Sequence, residues 1–361
     1  MKTSNHLLRR LTAALLAAVL ALSIALPVFA SDDGDTIYIN SVSDLLSLAK
    51  SCAYDQWSVG KTVILQKDLS LEGMLWEPIP SFSGQFKGNG HTISDLTITG
   101  QYSPAGLFGI VEEQGSIESL SVRGIVSVSD SADTTTGGIV GINHGTLINC
   151  QFTGVVTGDS EVGGIVGRNE SEGTIDHSTA RAIVTGKSST GGIAGYNLGA
   201  ITGCTNVGSI NTEYQEASLD TDGFTAKMVD YINNKMAAAD DDTTNSVTNV
   251  ATDTGGIAGR SSGMILTSVN TGTVGYEHIG YNVGGIVGRT DGLVSGCVNQ
   301  GHVLGRKDVG GIAGQAEPYR ELDLSKDTIK RLRSELDVLR GLVDDTTGVV
   351  ENLSLIHISE P

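Results

Sequence analysis

Across the middle of the chain the apolar positions recur with a period of two, in short bursts separated by Gly, Asn and Asp. That pattern predicts strands joined by tight turns, not helices. The bursts repeat. The string Gly-Gly-Ile-(Val/Ala)-Gly begins at Gly137, Gly163, Gly191, Gly255, Gly284 and Gly310, with successive spacings of 26, 28, 64, 29 and 26, and a degenerate copy starts at Ala105. A unit of about 26 residues holding two or three strands cannot bury its own apolar face, whereas a stack of such units can. Equivalent strands then pair in parallel, about 4.8 Å per unit. Ile139, Ile165, Ile193, Ile257, Ile286 and Ile312 fall at one position of the unit and form a single buried ladder. Burying each isoleucine contributes about 1.5–3 kcal/mol. The expected fold is all-β, a parallel β-helix, right-handed by the crossover rule.

The pattern changes at both ends and at one internal point. Met1 to Ala30 has a basic start, an apolar run from Leu11 to Leu26, Pro27, and small residues before Ser31. It reads as a secretory signal cleaved after Ala30. Residues 31–81 form an N-terminal cap, with a helix at helical apolar spacing behind Ser41 (Val42, Leu45, Leu46, Leu48, Ala49) and a first strand at Thr62–Leu65. The repeats occupy 82–316. The 64-residue gap adds an insertion at about 211–252, where Phe224, Met228, Ile232 and Met236 make one helical stripe. An Asp-Thr-Asp-Gly string at Asp220 fails as a calcium loop, because Ser218 and Val229 stand where carboxylates belong. In 317–352, Ile329, Leu332, Leu336, Leu339 and Val343 alternate spacings of three and four, which fits a capping helix or the start of a coiled coil. Leu353 to Pro361 (LSLIHISEP) matches the translation of a common sequencing-library adapter, so the genuine chain is expected to continue beyond about Asn352.

The unit GGIVGINHGTLINCQFTGVVTG from Gly137 resembles the Glug motif, and FSGQFKGNGHTISDLTI (Phe82 to Ile98) resembles the opening coil that precedes such repeats in surface proteins of gut Firmicutes. The resemblance runs from Ile64 to Gln315. It implies a β-helix in an adhesin-like surface protein, or a repeat module beside the catalytic domain of an immunoglobulin A metallopeptidase.

Composition narrows the chemistry. Of 361 residues, 48 are Gly, and 41 acids against 23 bases give a formal charge of −18. Nucleic acid and anionic membrane are poor partners for such a chain. Cys150, Cys204 and Cys297 lie thirteen residues after the first Gly of their units, with Ser178 and Ser268 in the intervening coils. The thiols are therefore two rungs apart, beyond disulfide reach, and read as small inward-facing residues. Cys52 sits alone in the cap. No His-Glu-x-x-His occurs. Two charged columns remain. Asp133 and Asp159, with Glu161 nearby, could serve glycoside chemistry or calcium, although Lys187 breaks the set on the next rung. Arg168, Arg260 and Arg289, with Tyr196 between, form a strip that could hold an acidic glycan.

None of these is assigned as a catalytic, cofactor-binding or metal site. The expected protein is an exported surface β-helix, an adhesin-like or structural stalk about 40 Å long. It binds an unknown surface ligand, glycan or protein, without catalysis or cofactor. It keeps no membrane segment after signal cleavage and leaves coiled-coil self-association open. The alternatives are a non-catalytic module of a surface metallopeptidase and a polysaccharide lyase or hydrolase on the same fold.

Overall fold

The computed structural model describes residues 35–54, 56–128, 134–212 and 251–317. The segment 1–30 read as a secretory signal, the 213–250 stretch with its Phe224–Met236 stripe, and the heptad positions beyond 317 lie outside the described residues. The remainder is a parallel β-solenoid, one compact unit ending at Ala316. Its coils carry four short strands, not two or three. The coil after Gly137 shows them in order: Val140–Asn143 on the first face, Thr146–Ile148 on the second, Gln151–Thr157 on the third and Val162–Gly163 on the fourth. The corresponding sheets hold eight, nine, nine and six strands. The fourth face is easily missed in sequence, because its strands are two to four residues long and overlap the Gly-Gly corner.

Each coil lies on the next in parallel register, as in Val140↔Val166, Leu147↔Ile175 and Phe152↔Ala180. The isoleucine ladder is present and is also a backbone ladder. Ile139 N–H donates to Ile165 O (2.9 Å), Ile193 to Ile257 O (2.9 Å), and Ile286 to Ile312 O (2.9 Å). Ile139 through Ile286 are fully buried, but Ile312, in the last described coil, is 43 % exposed. Truncation therefore separates the two ends of the ladder. Ile193→Ala is expected to cost about 2–5 kcal/mol and Ile312→Ala about 1 kcal/mol or less, read by urea denaturation.

The stack begins earlier than expected. Thr36–Ile39 precedes Thr62–Leu65 and pairs with it along its whole length. Helix α1, Val42–Ser51, follows it, with the Ser41 side chain accepting the Asp44 amide as N-cap and Leu45 and Leu48 turned into the core. Packing near this end is aromatic. Phe82, Phe86 and Phe108 meet at centroid distances of 5.4–6.3 Å.

Two asparagine ladders run inside the solenoid, built from residues whose type and spacing in the sequence suggest turns. On the first face, Asn143 Nδ2 donates to Asn169 Oδ1 (2.8 Å), Asn169 to Asn197 Oδ1 (2.9 Å), and Asn197 to Ser261 Oγ (3.0 Å). On the third, Asn206 donates to Asn270 (2.7 Å) and Asn270 to Asn299 (2.8 Å). The second ladder explains a change in strand length. Where Phe152 and Ala180 occupy this row, the third-face strands run seven residues. From Asn206 onward each asparagine also bonds the residue two along (Gly208 N–H to Asn206 Oδ1, 3.0 Å), and the strand shortens to Thr205–Asn206. The local side-chain turn outcompetes the inter-coil ladder.

Candidate functional site

The acidic column is only partly described, since Asp133 falls outside the described residues. Asp159 does stand one rung from Lys187, whose amide donates to Asp159 O (2.8 Å). Lys187 Nζ lies 2.6 Å from Asp159 Oδ1. The residue that breaks the carboxylate set thus neutralises its member. Glu161 is likewise engaged, with Oε1 2.7 Å from Arg168 Nη1 and Oε2 accepting Thr135 Oγ1 at 3.2 Å. Two carboxylates held by cations or hydroxyls are poorly placed for paired acid–base work, which requires their proton affinities to be pushed apart.

The arginine strip is where the sequence placed it. Arg168, Tyr196, Arg260 and Arg289 follow one another in register on the first face, each in the outward position of its four-residue strand. Their chemistry differs from the expected anion strip. Arg168 is gripped on both sides, by Glu161 and by Glu170 (Nε to Oε1 2.7 Å). Partial burial works against its charge, but the two carboxylates more than offset that and hold the guanidinium more firmly protonated. Tyr196 carries Arg168 at 5.1 Å and Arg260 at 5.2 Å from its ring centroid. Its ring is engaged by cation–π contacts that brace three coils, each worth about 0.5–2 kcal/mol. The strip therefore reads as a stitch between coils. Glu161→Gln is expected to lower stability by about 1 kcal/mol or less, with the difference shrinking as salt rises, measured by thermal denaturation at two ionic strengths.

The thiol column is confirmed as alternating and internal. Cys150 N–H donates to Ser178 Oγ (3.1 Å), Ser178 N–H to Cys204 Sγ (3.4 Å), and Cys204 N–H to Ser268 Oγ (3.2 Å). Burial pushes the Cys150 and Cys204 thiols up to about 12, and that of Cys52 up to about 11. These groups are inert as nucleophiles at neutral pH. A thiol with a raised folded-state pKa favours folding while the unfolded chain is still protonated. That contribution is lost as pH rises from the reference value of 9.0 towards about 12. At pH 8, Ellman's reagent should label half-buried Cys297 first and reach Cys150 and Cys204 only on unfolding.

One shallow depression of about 390 Å³ lies on the second face, lined by Lys87, Asn89, Gly90, Glu118, Ser119 and Asn149. Its polar groups are partly spent on each other, with Asn149 Nδ2 donating to Ser119 Oγ at 3.2 Å. Among the described residues, no group of three or more His, Cys, Asp or Glu side chains could hold a metal ion, and no helix is long and apolar enough to cross a membrane.

No protein-family model matches the chain, so the Glug likeness stands on its motif alone. The chain is 32 % identical over 155 residues to halomucin of Haloquadratum walsbyi, a match covering 39 % of this chain and 2 % of that protein. It is 29 % identical over 137 residues to a "Putative Gly-rich membrane protein" of Evansella cellulosilytica, covering 27 % of this chain and 16 % of that one. The chain thus spans a small part of either relative's length. Among solved structures, a "putative immunoglobulin A1 protease" from Bacteroides ovatus superposes with a TM-score of 0.51 at 18 % identity, over 80 % of this chain and 85 % of that one. At that identity the likeness is one of fold, and the fold it shares is the β-solenoid.

Proposed function

We propose that this chain is a non-catalytic, surface-exposed β-solenoid segment whose task is to hold binding faces away from the cell. The observation that carries this reading is the state of the side chains that could have done chemistry. Asp159 is paired with Lys187 and Glu161 with Arg168, while Cys150 and Cys204 are buried with raised pKa values. What remains outward is a set of flat, regular faces at fixed spacing. The likeness to a stretch of halomucin, and to part of a protein named for a membrane, supports a place within a large surface protein. The secretory reading of residues 1–30 and the coiled-coil reading of 317–352 fit the same picture.

The metallopeptidase-module alternative assigns this solenoid the same mechanical task beside a downstream catalytic domain. The lyase alternative differs and is tested directly. The whole chain is incubated with a panel of neutral and acidic polysaccharides and with immunoglobulin A1, and new reducing ends, unsaturated uronates and peptide fragments are measured. No turnover is expected, together with antibody labelling of the chain on intact source cells. Cleavage of any of these substrates, or labelling only after permeabilisation, overturns the reading.

A further inference from the structure

One outward position of the third face is packed as if it lay inside. The strand Gln151–Thr157 alternates in the usual way, with Phe152 and Val156 in the core and Thr153 half-buried on the outer side. Val155 shares the outer side with Thr153, yet it is 3 % exposed and stands apart from the core cluster. Its row runs in register across five strands, through Thr97, Ile125, Val155, Ile183 and Ser209. Ile125 and Ile183 are half-buried on either side of it. Outward valines elsewhere on the same face are open, Val207 at 41 % and Val298 at 46 %. The described strands that meet Gln151–Thr157 are its neighbours in the sheet and the fourth-face strands Thr136–Gly137 and Val162–Gly163, which lie beyond the next corner. A valine on the outer side of a sheet reaches such burial only under a further apolar layer.

We infer that this layer is the chain's own insertion, residues 213–250, laid along the third face with Phe224, Met228, Ile232 and Met236 against the Ile125–Val155–Ile183 row. Position selects it, because the segment starts at the row itself. Ser209 pairs with Ile183, and Ile210, Asn211 and Thr212 lead directly into residue 213. The twelve residues from Thr212 to Phe224 can span up to about 40 Å, more than enough to reach any point of the row. Length agrees. The row from Thr97 to Ser209 crosses four rungs, about 19 Å, and a helix from Phe224 to Met236 rises about 18 Å. The chemistry is complementary, since large apolar side chains at a spacing of four make one stripe. The other stretch leaving this face, residues 129–133, reads Ser-Asp-Ser-Ala-Asp and offers no large apolar side chain. Charge fits as well, with Glu213, Glu216, Asp220 and Asp222 ahead of the stripe and exposed Arg181 in the row beside Ile183. On a helix, Lys227, Asp230 and Asn234 fall opposite the stripe. A partner approaching the middle coils from this side meets that polar surface and not the sheet.

Thiol labelling of the whole chain with N-ethylmaleimide, read residue by residue by tandem mass spectrometry, tests this. The Val155→Cys thiol is expected to react at least about tenfold more slowly than the Val298→Cys thiol on the open part of the same face. Adding Phe224→Asp/Ile232→Asp should raise the Val155→Cys rate by about tenfold or more and leave the Val298→Cys rate as it was. Lys227→Ala/Asn234→Ala, opposite the stripe, should change neither rate. Replacing residues 213–250 by a short Gly-Ser linker should open the position as the stripe substitutions do. Circular dichroism should show the β-solenoid retained in all of these, because none of them alters a residue of the stack other than the labelled one. Rapid labelling of Val155→Cys in the otherwise unaltered chain overturns the inference, as does slow labelling that survives both the stripe substitutions and the linker. Protection that disappears on dilution of the protein would assign the cover to a second copy and overturn it equally.

Discussion

Gly192→Val is expected to destabilise the solenoid by more than about 4 kcal/mol, among the largest effects of any single substitution here. A Cβ on Gly192 would fall inside the envelope of the Gly256 carbonyl oxygen on the next coil and against the side-chain amide of Asn206. Neither neighbour can retreat. The Gly256 backbone is fixed by its own stacking, since Gly256 N–H donates to Gly284 O at 3.2 Å. The Asn206 amide is anchored at 2.7 Å to Asn270. Gly311 supplies the control, because it is the same position in the last described coil and a Cβ there meets nothing within 4 Å. Gly311→Val should cost about 1 kcal/mol or less. Each coil touches only its neighbours, so the Gly192 variant should unfold in two separated urea transitions where the parent shows one. A single transition with unchanged midpoint would refute the account.

The second large effect is expected at the centre of the first-face asparagine ladder. Asn169 accepts from Asn143, donates to Asn197 and also donates to Gly173 O (3.0 Å), all within the buried interior. Asn169→Ala removes those bonds together and leaves the Asn197 Oδ1 atom without that donor, at a cost of about 2–4 kcal/mol. Asn169→Ser should be milder by about 1 kcal/mol. The row already accommodates a hydroxyl at Ser261, which accepts from Asn197 at 3.0 Å. Denaturant midpoints of the two variants test the order. Equal loss would mean that volume, not hydrogen bonding, sets the requirement at this position.

These two positions also show what the sequence could carry. Translational symmetry exposed the glycine pair, the isoleucine ladder and the Cys/Ser column, because stacking brings equal positions of successive units together. The asparagines obey the same symmetry, at Asn143, Asn169 and Asn197, six residues after the first Gly of each unit. They were hidden by their usual role as turn formers. Their recurrence in phase with the isoleucines was the usable signal. The pairing of charges was illegible for a different reason. Column logic places Asp159 beside Lys187 correctly, but whether neighbouring charges repel, bind a ligand or neutralise each other depends on side-chain geometry. The Arg168 grip joins residues seven before and two after along the chain, Glu161 and Glu170, and no stacking rule relates them.

The corner at Asn211 has a consequence for how such a molecule acquires variety. Asn211 accepts the Gly186 amide (2.9 Å) and donates to Thr254 Oγ1 (3.0 Å), so it closes its coil from both sides. Residues 213–250 follow it in the sequence, and on their far side Thr252 stacks in register on Ser188. Lengthening a loop whose ends are already fixed adds only about 0.6 kcal/mol of closure entropy per doubling. The corner is therefore a splice point, where new sequence can be accepted, exchanged or lost without renegotiating the stack. A lineage could change sequence here while inheriting the scaffold intact, and an engineer could graft a foreign epitope at the same place.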